Sequence, residues 1–280
     1  MQTLNNKVVV ITGAASGIGR ALALACAQRG ARLVLADLNA PGLAEVSSQV
    51  ELLGASCHSR VTDTGVEAEI WALADFCQSA LGPADVVINN AGVSLVSSVE
   101  NMKTSDAQWL MDINFWGVVH GCRAFLPQLR TRPKATLVNI SSIFAMVSMP
   151  TQSMYNAAKA AVRAFSDALR EELQGTGITV LCVHPGGIRT NIVNKARMAD
   201  LSLLALSETQ MRTLFEQSAP TTPEQAAMAI VRAIERRKTR LTIGKDAKIA
   251  DLIYRLFPAR ASAWLSQLGR RRREAAVAKG

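Results

Sequence analysis

The sequence predicts an α/β fold, a single domain built on a doubly wound parallel sheet with helices on both faces. Short runs rich in Val, Ile and Leu alternate with segments of helical periodicity up to about residue 190. Strands buried on both faces have such continuous apolar runs, and strand–helix alternation implies right-handed crossovers into a parallel sheet. No proline-rich or Gly/Ser-rich linker and no repeat of fixed period divides the 280 residues.

The first strand is predicted at residues 7–11, and a glycine-rich turn leads from it into helix-forming residues 21–27. This strand–turn–helix order is Rossmann-like. The further strands are predicted at 33–36, 85–88, 136–140 and 178–183, and the further helices at 41–53, 105–129 and 157–173. Residues 191–218 break the alternation beyond the carboxyl end of a strand, where ligands bind in such folds. They are therefore expected to form a mobile lid.

The basic charge is confined to the C-terminal part of the chain. Residues 1–227 carry 17 basic and 18 acidic side chains, whereas residues 228–280 carry 14 and 4. Nucleic-acid binding requires basic residues spread over a docking surface, usually with aromatic platforms or a reading helix, so no nucleic-acid partner is expected. The four arginines at 270–273 are most simply interpreted as a solvated tail.

The cysteines indicate a reducing compartment. Their number, five, is odd, and they are widely spread with no CxxC pair, so neither a disulfide framework nor a metal site is expected. Residues 1–7 lack the order of a signal peptide, and no apolar stretch approaches the roughly 18 residues of a membrane-spanning helix. A cytoplasmic protein is the expectation.

The turn after the first strand has the spacing of a phosphate-binding loop, Thr12-Gly13-Ala-Ala-Ser-Gly17-Ile-Gly19. Glycines there permit a tight turn and let a pyrophosphate approach backbone N–H groups at a helix N-terminus. Asp37 lies directly after the predicted second strand. A carboxylate at this position binds both hydroxyls of an adenosine ribose and repels a 2′-phosphate. Because the loop has Ser16 rather than a basic residue, NAD is favoured over NADP.

Further motifs follow in order within residues 8–190. They are Asn89-Asn90-Ala91-Gly92, Asn114 in Asp-Ile-Asn, Ser142 thirteen positions before Tyr155, Tyr155-Asn-Ala-Ala-Lys159, and Pro185-Gly186 followed by Thr190. Together with the glycine turn, they resemble the short-chain dehydrogenase/reductase family, in the branch with a TGxxxGxG loop and a YxxxK site.

This resemblance implies the site residues. The catalytic set is Asn114, Ser142, Tyr155 and Lys159. The cofactor-binding set is Gly13, Ser16, Gly17, Ile18, Gly19, Asp37, Asp63, Asn90, Ala91, Gly92, Tyr155, Lys159, Pro185, Gly186, Ile188 and Thr190. The family has an aspartate after the third strand that binds the adenine amino group, and this sequence aligns with that position in two registers. One register places Asp63 there and the other places Arg60 there. Asp63 is chosen because it keeps the family's usual spacing to Asn89.

Alcohol oxidation by a nicotinamide requires a base that takes the hydroxyl proton. An isolated tyrosine has a pKa of about 10, and an adjacent cation favours its phenolate. Lys159 lies four residues after Tyr155, so the two share a helix face, and we expect the ammonium to lower the pKa of the phenol. By resemblance, Ser142 binds the substrate oxygen and Asn114 holds a water. His120 and His184 are interpreted as packing residues.

Residues 143–154 between Ser142 and Tyr155 are mostly apolar and hold no Lys or Arg, and Val93, Leu95, Ile192 and Val193 add apolar surface. A neutral, hydrophobic alcohol or its ketone or aldehyde is the expected substrate, and a small polyol is the alternative. Arg189, next to the predicted lid, could instead bind an anionic group of the substrate. The methionines of this segment could simply fill the core. The expected function is an NAD-dependent oxidoreductase. A dinucleotide-binding regulatory or scaffold protein and a relative that isomerises or dehydrates are the competing functions.

The sequence divides into a domain at 1–246 and a basic amphipathic extension at 247–280. Ile249, Leu252, Ile253, Leu256 and Phe257 have the spacing of one helix face. That face either closes over the pocket or the partner subunit, or contacts a membrane surface peripherally. A homodimer or homotetramer is expected by resemblance, through the helices that carry Asn114 and Tyr155. The small or apolar residues suited to that contact are Ala157, Ala161, Ala164, Phe165 and Ala168.

Overall fold

The computed structural model describes residues 3–192, 195–204 and 207–277. This part of the chain forms a seven-stranded parallel sheet in the order β3-β2-β1-β4-β6-β7-β9. Its strands are β1 (Val8–Thr12), β2 (Arg32–Asp37), β3 (Cys57–Val61), β4 (Val86–Asn89), β6 (Ala135–Ile140), β7 (Ile178–Pro185) and β9 (Arg240–Ile243). The order reverses beside β1, which gives the doubly wound topology predicted from the sequence.

Helices cover both faces of the sheet. They are α1 (Gly17–Ala27), α2 (Ala40–Leu52), α3 (Glu67–Leu81), α4 (Thr104–Met111), α5 (Gly117–Arg130), α6 (Ser153–Glu172), α7 (Glu208–Ser218), α8 (Pro223–Glu235), α9 (Lys245–Leu256) and α10 (Ala261–Val277). Side chains of β1 alternate between two cores: Val9 and Ile11 join one cluster, and Val8 and Val10 join the other. The predicted α/β fold class is therefore confirmed.

Several elements lie where the apolar pattern gave no strand or helix. The edge strand β3 is mostly exposed, so it lacks the continuous apolar run of the buried strands. The sequence pattern likewise predicts no helix at α3 or α8 and no strand at β9. The helix predicted at 105–129 is broken by a π-helical turn at Asp112–Trp116, between α4 and α5. Such a turn widens the helix locally and often marks a functional site.

The region predicted as a lid is partly attached to the body of the domain. Two short strands, β5 (Leu95–Val96) and β8 (Arg197–Met198), form a second parallel sheet. The Arg197 guanidinium also lies 3.7 Å from the Trp109 ring centre and 2.8 Å from Asp106 Oδ1. Helix α7 follows in the same region; Val193, which the sequence places in the lid, lies outside the described residues.

The C-terminal helices pack beside the carboxyl end of β6. Ala247 and Ala250 of α9 and Ala261 of α10 are buried against a cluster that includes Ile143 and Val147. Arg240 of β9 makes an ion pair with Asp251 of α9 at 2.7 Å, which attaches the helix to the edge strand. Among the residues that the structure describes, no helix is long and apolar enough to cross a membrane.

Candidate active site

The glycine turn between β1 and α1 is sterically restricted to glycine at two positions. Gly13 has a φ of +67°, and a Cβ there would lie 2.7 Å from the Ala91 Cα. A Cβ on Gly19 would lie 2.0 Å from the Gly13 carbonyl oxygen. Helix α1 begins at Gly17, and the Ser16 side chain makes no capping hydrogen bond to it. The first N–H groups of α1 are therefore suited to an anion such as a pyrophosphate.

The Asn89–Gly92 motif is hydrogen-bonded to this turn. The Thr12 hydroxyl oxygen accepts from the backbone N–H groups of Asn90 (3.1 Å) and Ala91 (3.2 Å). The Asn90 amide donates in turn to the carbonyl oxygens of Thr12 and Gly13. Thr12 was not selected from the sequence as a site residue. Its position at the end of β1, directly before the glycines, is the signal that could have found it.

The two acidic residues expected near the adenosine lie after neighbouring strands. Asp37 ends β2, and its carboxylate accepts N–H groups from Ala15 and Asn39, both at 2.9 Å. Asp63 lies two residues beyond β3, and its carboxylate accepts the Gly65 N–H at 2.9 Å. Arg60, the other register for the adenine-binding position, lies within β3 and is exposed. Asp63 is therefore nearer than Arg60 to the carboxyl edge of the sheet.

Ser142, Tyr155 and Lys159 come together at the carboxyl end of β6. The Ser142 side chain lies close enough to the Tyr155 phenol to lower its pKa. The Lys159 ammonium donates to the Ile140 carbonyl oxygen at 3.0 Å and lies 5.8 Å from the centre of the Tyr155 ring. Phe144 packs edge-on against the same ring at 6.2 Å. The arrangement places a hydroxyl, a phenol and a buried ammonium in one small volume.

Asn114 lies in the π-helical turn and is fully buried. Its amide makes paired hydrogen bonds with the backbone of Val93, donating to the carbonyl oxygen at 2.9 Å and accepting the N–H at 2.8 Å. A Cβ added to Gly92 would lie 3.2 Å from the Asn114 oxygen and 3.5 Å from the Lys159 nitrogen. Asn114 thus fixes the end of the Asn89–Gly92 motif beside Lys159.

Burial is the largest cause of the pKa shifts of Tyr155 and Lys159. It raises the pKa of Tyr155 to about 12, against the effect of the Ser142 side chain, which lowers it. Burial also lowers the pKa of Lys159 to about 8. The net pKa of the phenol is raised in the protein alone, because desolvation of the phenolate outweighs the effect of Ser142. The expectation that the Lys159 ammonium lowers the pKa of the phenol stays a prediction. Near pH 7 the phenol holds its proton.

The segment after β7 is held by residues that sequence reasoning missed. The Gly187 N–H donates to the Asp246 carboxylate at 2.7 Å, and Gly186 N–H donates to the Ile243 carbonyl oxygen at 2.9 Å. A Cβ on Gly186 would lie 2.3 Å from Asp246. No sequence signal distinguishes Asp246 from an ordinary acidic residue in the first turn of a helix.

The segment after β7 also contacts the glycine turn between β1 and α1. Ile188 forms a β-bridge with Thr221, and the Thr190 methyl carbon lies 3.1 Å from the position of a Cβ on Gly17. Pro185, the last residue of β7, precedes these contacts. The residues predicted to bind a dinucleotide thus follow the carboxyl edge of the sheet from the glycine turn to Thr190.

The two central histidines lie in β7 and α5, and His184 lies next to the backbone of Ser142. His184 is buried in β7, and burial lowers its pKa to about 4. The His120 ring stacks on Trp116 with their centres 5.9 Å apart. Within residues 3–192, 195–204 and 207–277, no group of three His, Cys, Asp or Glu side chains could hold a metal ion.

Residues 143–154 divide between core packing and the wall of a cavity. Met146 is buried against α9 and α10, as the core-filling interpretation holds, and Met154 packs with Tyr155 and Leu95. A cavity of about 360 Å³ opens beside the start of α6. Its walls include the polar residues Ser97, Ser98, Glu100 and Asn101 and the apolar residues Met149, Pro150 and Leu203.

Comparison with known proteins decides the family. The family model described as short chain dehydrogenase matches residues 7–200, which include the glycine turn and the Tyr155–Lys159 pair. The chain belongs to the short-chain dehydrogenase/reductase family. It is 38% identical over 259 residues to the oxidoreductase SadH of Mycobacterium tuberculosis, covering 91% of this chain and 92% of that protein.

Solved short-chain dehydrogenases share the fold. One from Burkholderia phymatum, in complex with NAD, has a TM-score of 0.83 at 28% identity and covers 91% of this chain and 96% of its own. One from Streptomyces avermitilis has a TM-score of 0.80 at 32% identity and covers 95% and 98%. This short-chain dehydrogenase/reductase is thus a member of an oxidoreductase family whose members bind a nicotinamide dinucleotide.

Proposed function

We propose that the protein is an NAD-dependent oxidoreductase that interconverts a secondary alcohol and a ketone, or a primary alcohol and an aldehyde, with Tyr155 as the acid/base. The observation that carries the proposal is the meeting of Ser142, Tyr155 and Lys159 at the carboxyl edge of the sheet, next to the Asn89–Gly92 motif. A regulatory or scaffold protein would not require a buried lysine beside a half-buried tyrosine, because burying an ammonium is costly.

The chemistry assigned to each side chain follows from its surroundings. The bound nicotinamide supplies the hydride acceptor or donor. Ser142 and Tyr155 hold the substrate oxygen from two sides, since the Ser142 side chain lies close enough to the phenol to lower its pKa. In reduction, the phenol donates its proton to that oxygen; in oxidation, the phenolate takes the proton of the substrate hydroxyl and becomes the phenol. The Lys159 ammonium stabilises the phenolate that proton donation leaves behind.

The cofactor preference is proposed from the end of β2. The Asp37 carboxylate lies beside the turn through its hydrogen bond with Ala15, where it would accept from ribose hydroxyls and repel a 2′-phosphate. No Lys or Arg lies at 13–17 or 37–39 to bind such a phosphate. The Burkholderia relative binds NAD. These observations support NAD over NADP for this chain.

A hydrophobic, neutral substrate is proposed from the residues around Tyr155. Phe144, Met154 and Val93 are half-buried apolar residues near the phenol, and the buried Leu95 packs with Val93 and Met154. The polar wall of the cavity at Ser97–Asn101 lies farther out, toward the predicted lid at residues 191–218. We propose that this lid closes over the substrate, with the β5–β8 pair as its fixed end. The free cysteines support a reducing, cytoplasmic location.

The test is a comparison of NAD and NADP at equal concentration with a panel of apolar secondary alcohols. Nicotinamide absorbance should rise with NAD and some of these alcohols. Asp37→Ala should lower kcat/KM with NAD and reduce the preference for it, whereas Asp75→Ala, an exposed residue of α3, should change neither. Faster wild-type turnover with NADP would contradict the cofactor assignment, and binding without turnover would favour the regulatory alternative.

A further inference from the structure

The C-terminal helices expose apolar side chains that their packing leaves uncovered. Six large apolar residues of α9, α10 and the link between them are 43% to 62% exposed: Ile249, Leu252, Leu256, Phe257, Trp264 and Leu268. We call them the C-terminal apolar face. The small residues on the other side of α9, Ala247 and Ala250, are the ones packed against the domain. The sequence alternative in which the whole apolar face closes over the pocket is therefore wrong for these six residues.

The six residues form one continuous surface. Ile249, Leu252 and Leu256 are spaced i, i+3 and i+7 on α9, so they share one side of that helix. Trp264 and Leu268 are spaced i and i+4 on α10. Phe257 joins the two sets, because its ring centre lies 5.3 Å from that of Trp264. A tryptophan at the edge of an apolar face is typical of a helix that lies in a membrane interface.

Exposed cations surround this face. They are Lys245, Lys248, Arg255, Arg260 and Arg270. The acidic groups of α9 are engaged: Asp251 is buried and paired with Arg240 and with Arg255, and Asp246 accepts the Gly187 N–H. The cations that these carboxylates do not pair are Lys245, Lys248, Arg260 and Arg270. The surface around the C-terminal apolar face is therefore strongly positive, which complements an anionic partner.

A second copy of the chain fits this face poorly. A two-fold contact would bring together two segments that each carry 14 basic and 4 acidic side chains, at residues 228–280. The remainder of the chain, with 17 basic and 18 acidic side chains, has an excess of one negative charge, too little to offset them. Like charges at such a contact oppose association, whereas an anionic lipid surface satisfies both the apolar side chains and the cations.

We infer that the C-terminal apolar face docks the protein onto membranes that contain anionic phospholipids, with α9 and α10 lying in the interface rather than crossing it. The apolar side chains enter the boundary between headgroups and acyl chains, and the surrounding Lys and Arg contact lipid phosphates. Because α9 also packs against the 143–147 segment, docking orients the catalytic edge of the sheet relative to the lipid.

Vesicle co-sedimentation of the full chain tests this inference. The protein should sediment with phosphatidylcholine vesicles that contain phosphatidylserine and be released as salt is raised, because surface charges are screened beyond about 8 Å at 0.15 M ionic strength. It should not sediment with phosphatidylcholine alone. Absence of binding to the anionic vesicles at low salt, or equal binding to both kinds, would overturn the inference.

Matched variants separate the two contributions. K245E/K248E should weaken binding to anionic vesicles by about 25-fold or more, since each cation near such a surface strengthens binding about fivefold. L252S/L256S should weaken it by about tenfold or more through lost apolar burial. The controls K134E and L52S/L53S change exposed residues elsewhere and should bind as the wild type does. Equal losses in the controls would contradict the assignment to this face.

Light scattering without vesicles measures the particle mass and so tests whether the C-terminal apolar face binds a second copy of the chain instead. All these positions are exposed, so the variants should keep the wild-type circular dichroism spectrum. L252S/L256S should also keep the wild-type particle mass. A fall in mass for this variant alone would show that the face binds a second copy, and would overturn the membrane assignment. Membrane binding is measured without turnover, so its failure and that of the proposed reaction are distinguishable.

Discussion

At the residue scale, the proposed chemistry depends on Tyr155 and Lys159, two groups whose desolvation opposes their charged forms. The pKa of Tyr155 is raised to about 12 and that of Lys159 is lowered to about 8, in both cases mainly by desolvation. The phenol is therefore a proton donor near pH 7, and its anion requires positive charge close by. The ammonium 5.8 Å from the ring centre is one source of that charge. The residues are predictable from the sequence, but the direction of the phenol's shift required the packing around it.

Lys159→Ala should lower turnover and also weaken dinucleotide binding. The variant removes the charge beside the phenol and leaves the buried Ile140 carbonyl oxygen without its donor. Steady-state kinetics and a separate titration of NAD measure the two effects. Lys134→Ala, an exposed lysine before β6, is the control and should alter neither. An unchanged pH–rate profile for Lys159→Ala would contradict the role given to the ammonium.

His184 gives a pH dependence of stability with a defined sign. Burial lowers its pKa in the folded chain to about 4, below the ordinary value of 6.5. Between these values the unfolded chain binds a proton that the folded chain does not, so the free energy of unfolding should fall as pH drops from 6.5 to 4. The histidine's contribution to that loss is about 3 kcal/mol.

Urea unfolding from pH 7 to pH 4 measures this slope. His184→Gln should flatten it even if its absolute stability differs, because the titrating group is gone. His58→Gln, at an exposed position, should leave the slope as in the wild type. The assignment fails if His184→Gln retains the full slope.

At the element scale, the buried strands follow directly from the sequence because both of their faces are apolar. The exposed edge strand β3 and the short β9 have no such run, so their pairing is determined by the neighbouring strand rather than by their own side chains. The π-helical turn at Asp112–Trp116 was also hidden, since the apolar periodicity continues through it. These are the places where tertiary contacts decide the local structure.

The candidate site shows the same division. Motif residues such as Gly13 and Tyr155 could be chosen from spacing, because the chemistry requires their residue types. The supporting residues Thr12 and Asp246 could not, because a hydrogen bond to a loop depends on where two distant segments meet. Helix α9 supplies Asp246 from 59 residues beyond the glycine that it holds. The spacing of residues along the sequence does not predict that contact.

Gly13→Ala should disable the turn between β1 and α1. The backbone there has a φ of +67°, which costs an alanine about 1–2 kcal/mol, and the new Cβ would also collide with the Ala91 Cα at 2.7 Å. Dinucleotide affinity should therefore fall together with stability. Gly54→Ala is the matched control, because its φ is +78° and no atom lies within 4 Å of the new Cβ. That variant should lose stability only, so equal affinity losses in both would contradict the role of the turn.

At the whole-molecule scale, the structure leaves a surface for the expected homo-oligomer. Ala157, Ala164 and Ala168 on α6 are exposed, and Trp116 beside them is 43% exposed. Small side chains on one helix face permit close approach of a second helix across a two-fold axis. Light scattering at micromolar concentration should give at least a dimer, and Ala164→Arg should reduce the particle mass. A wild-type monomer under these conditions would contradict the expectation.

The central claim is that this chain oxidises or reduces its substrate through Tyr155. The most direct measurement compares wild type with Tyr155→Phe by nicotinamide absorbance, using the best alcohol or ketone of the panel, and titrates NAD into both. Removing the phenolic hydroxyl should lower kcat by about 10²–10⁴-fold, the contribution of a positioned acid/base, and should leave NAD affinity within a few-fold. Turnover by Tyr155→Phe close to that of the wild type would contradict the account.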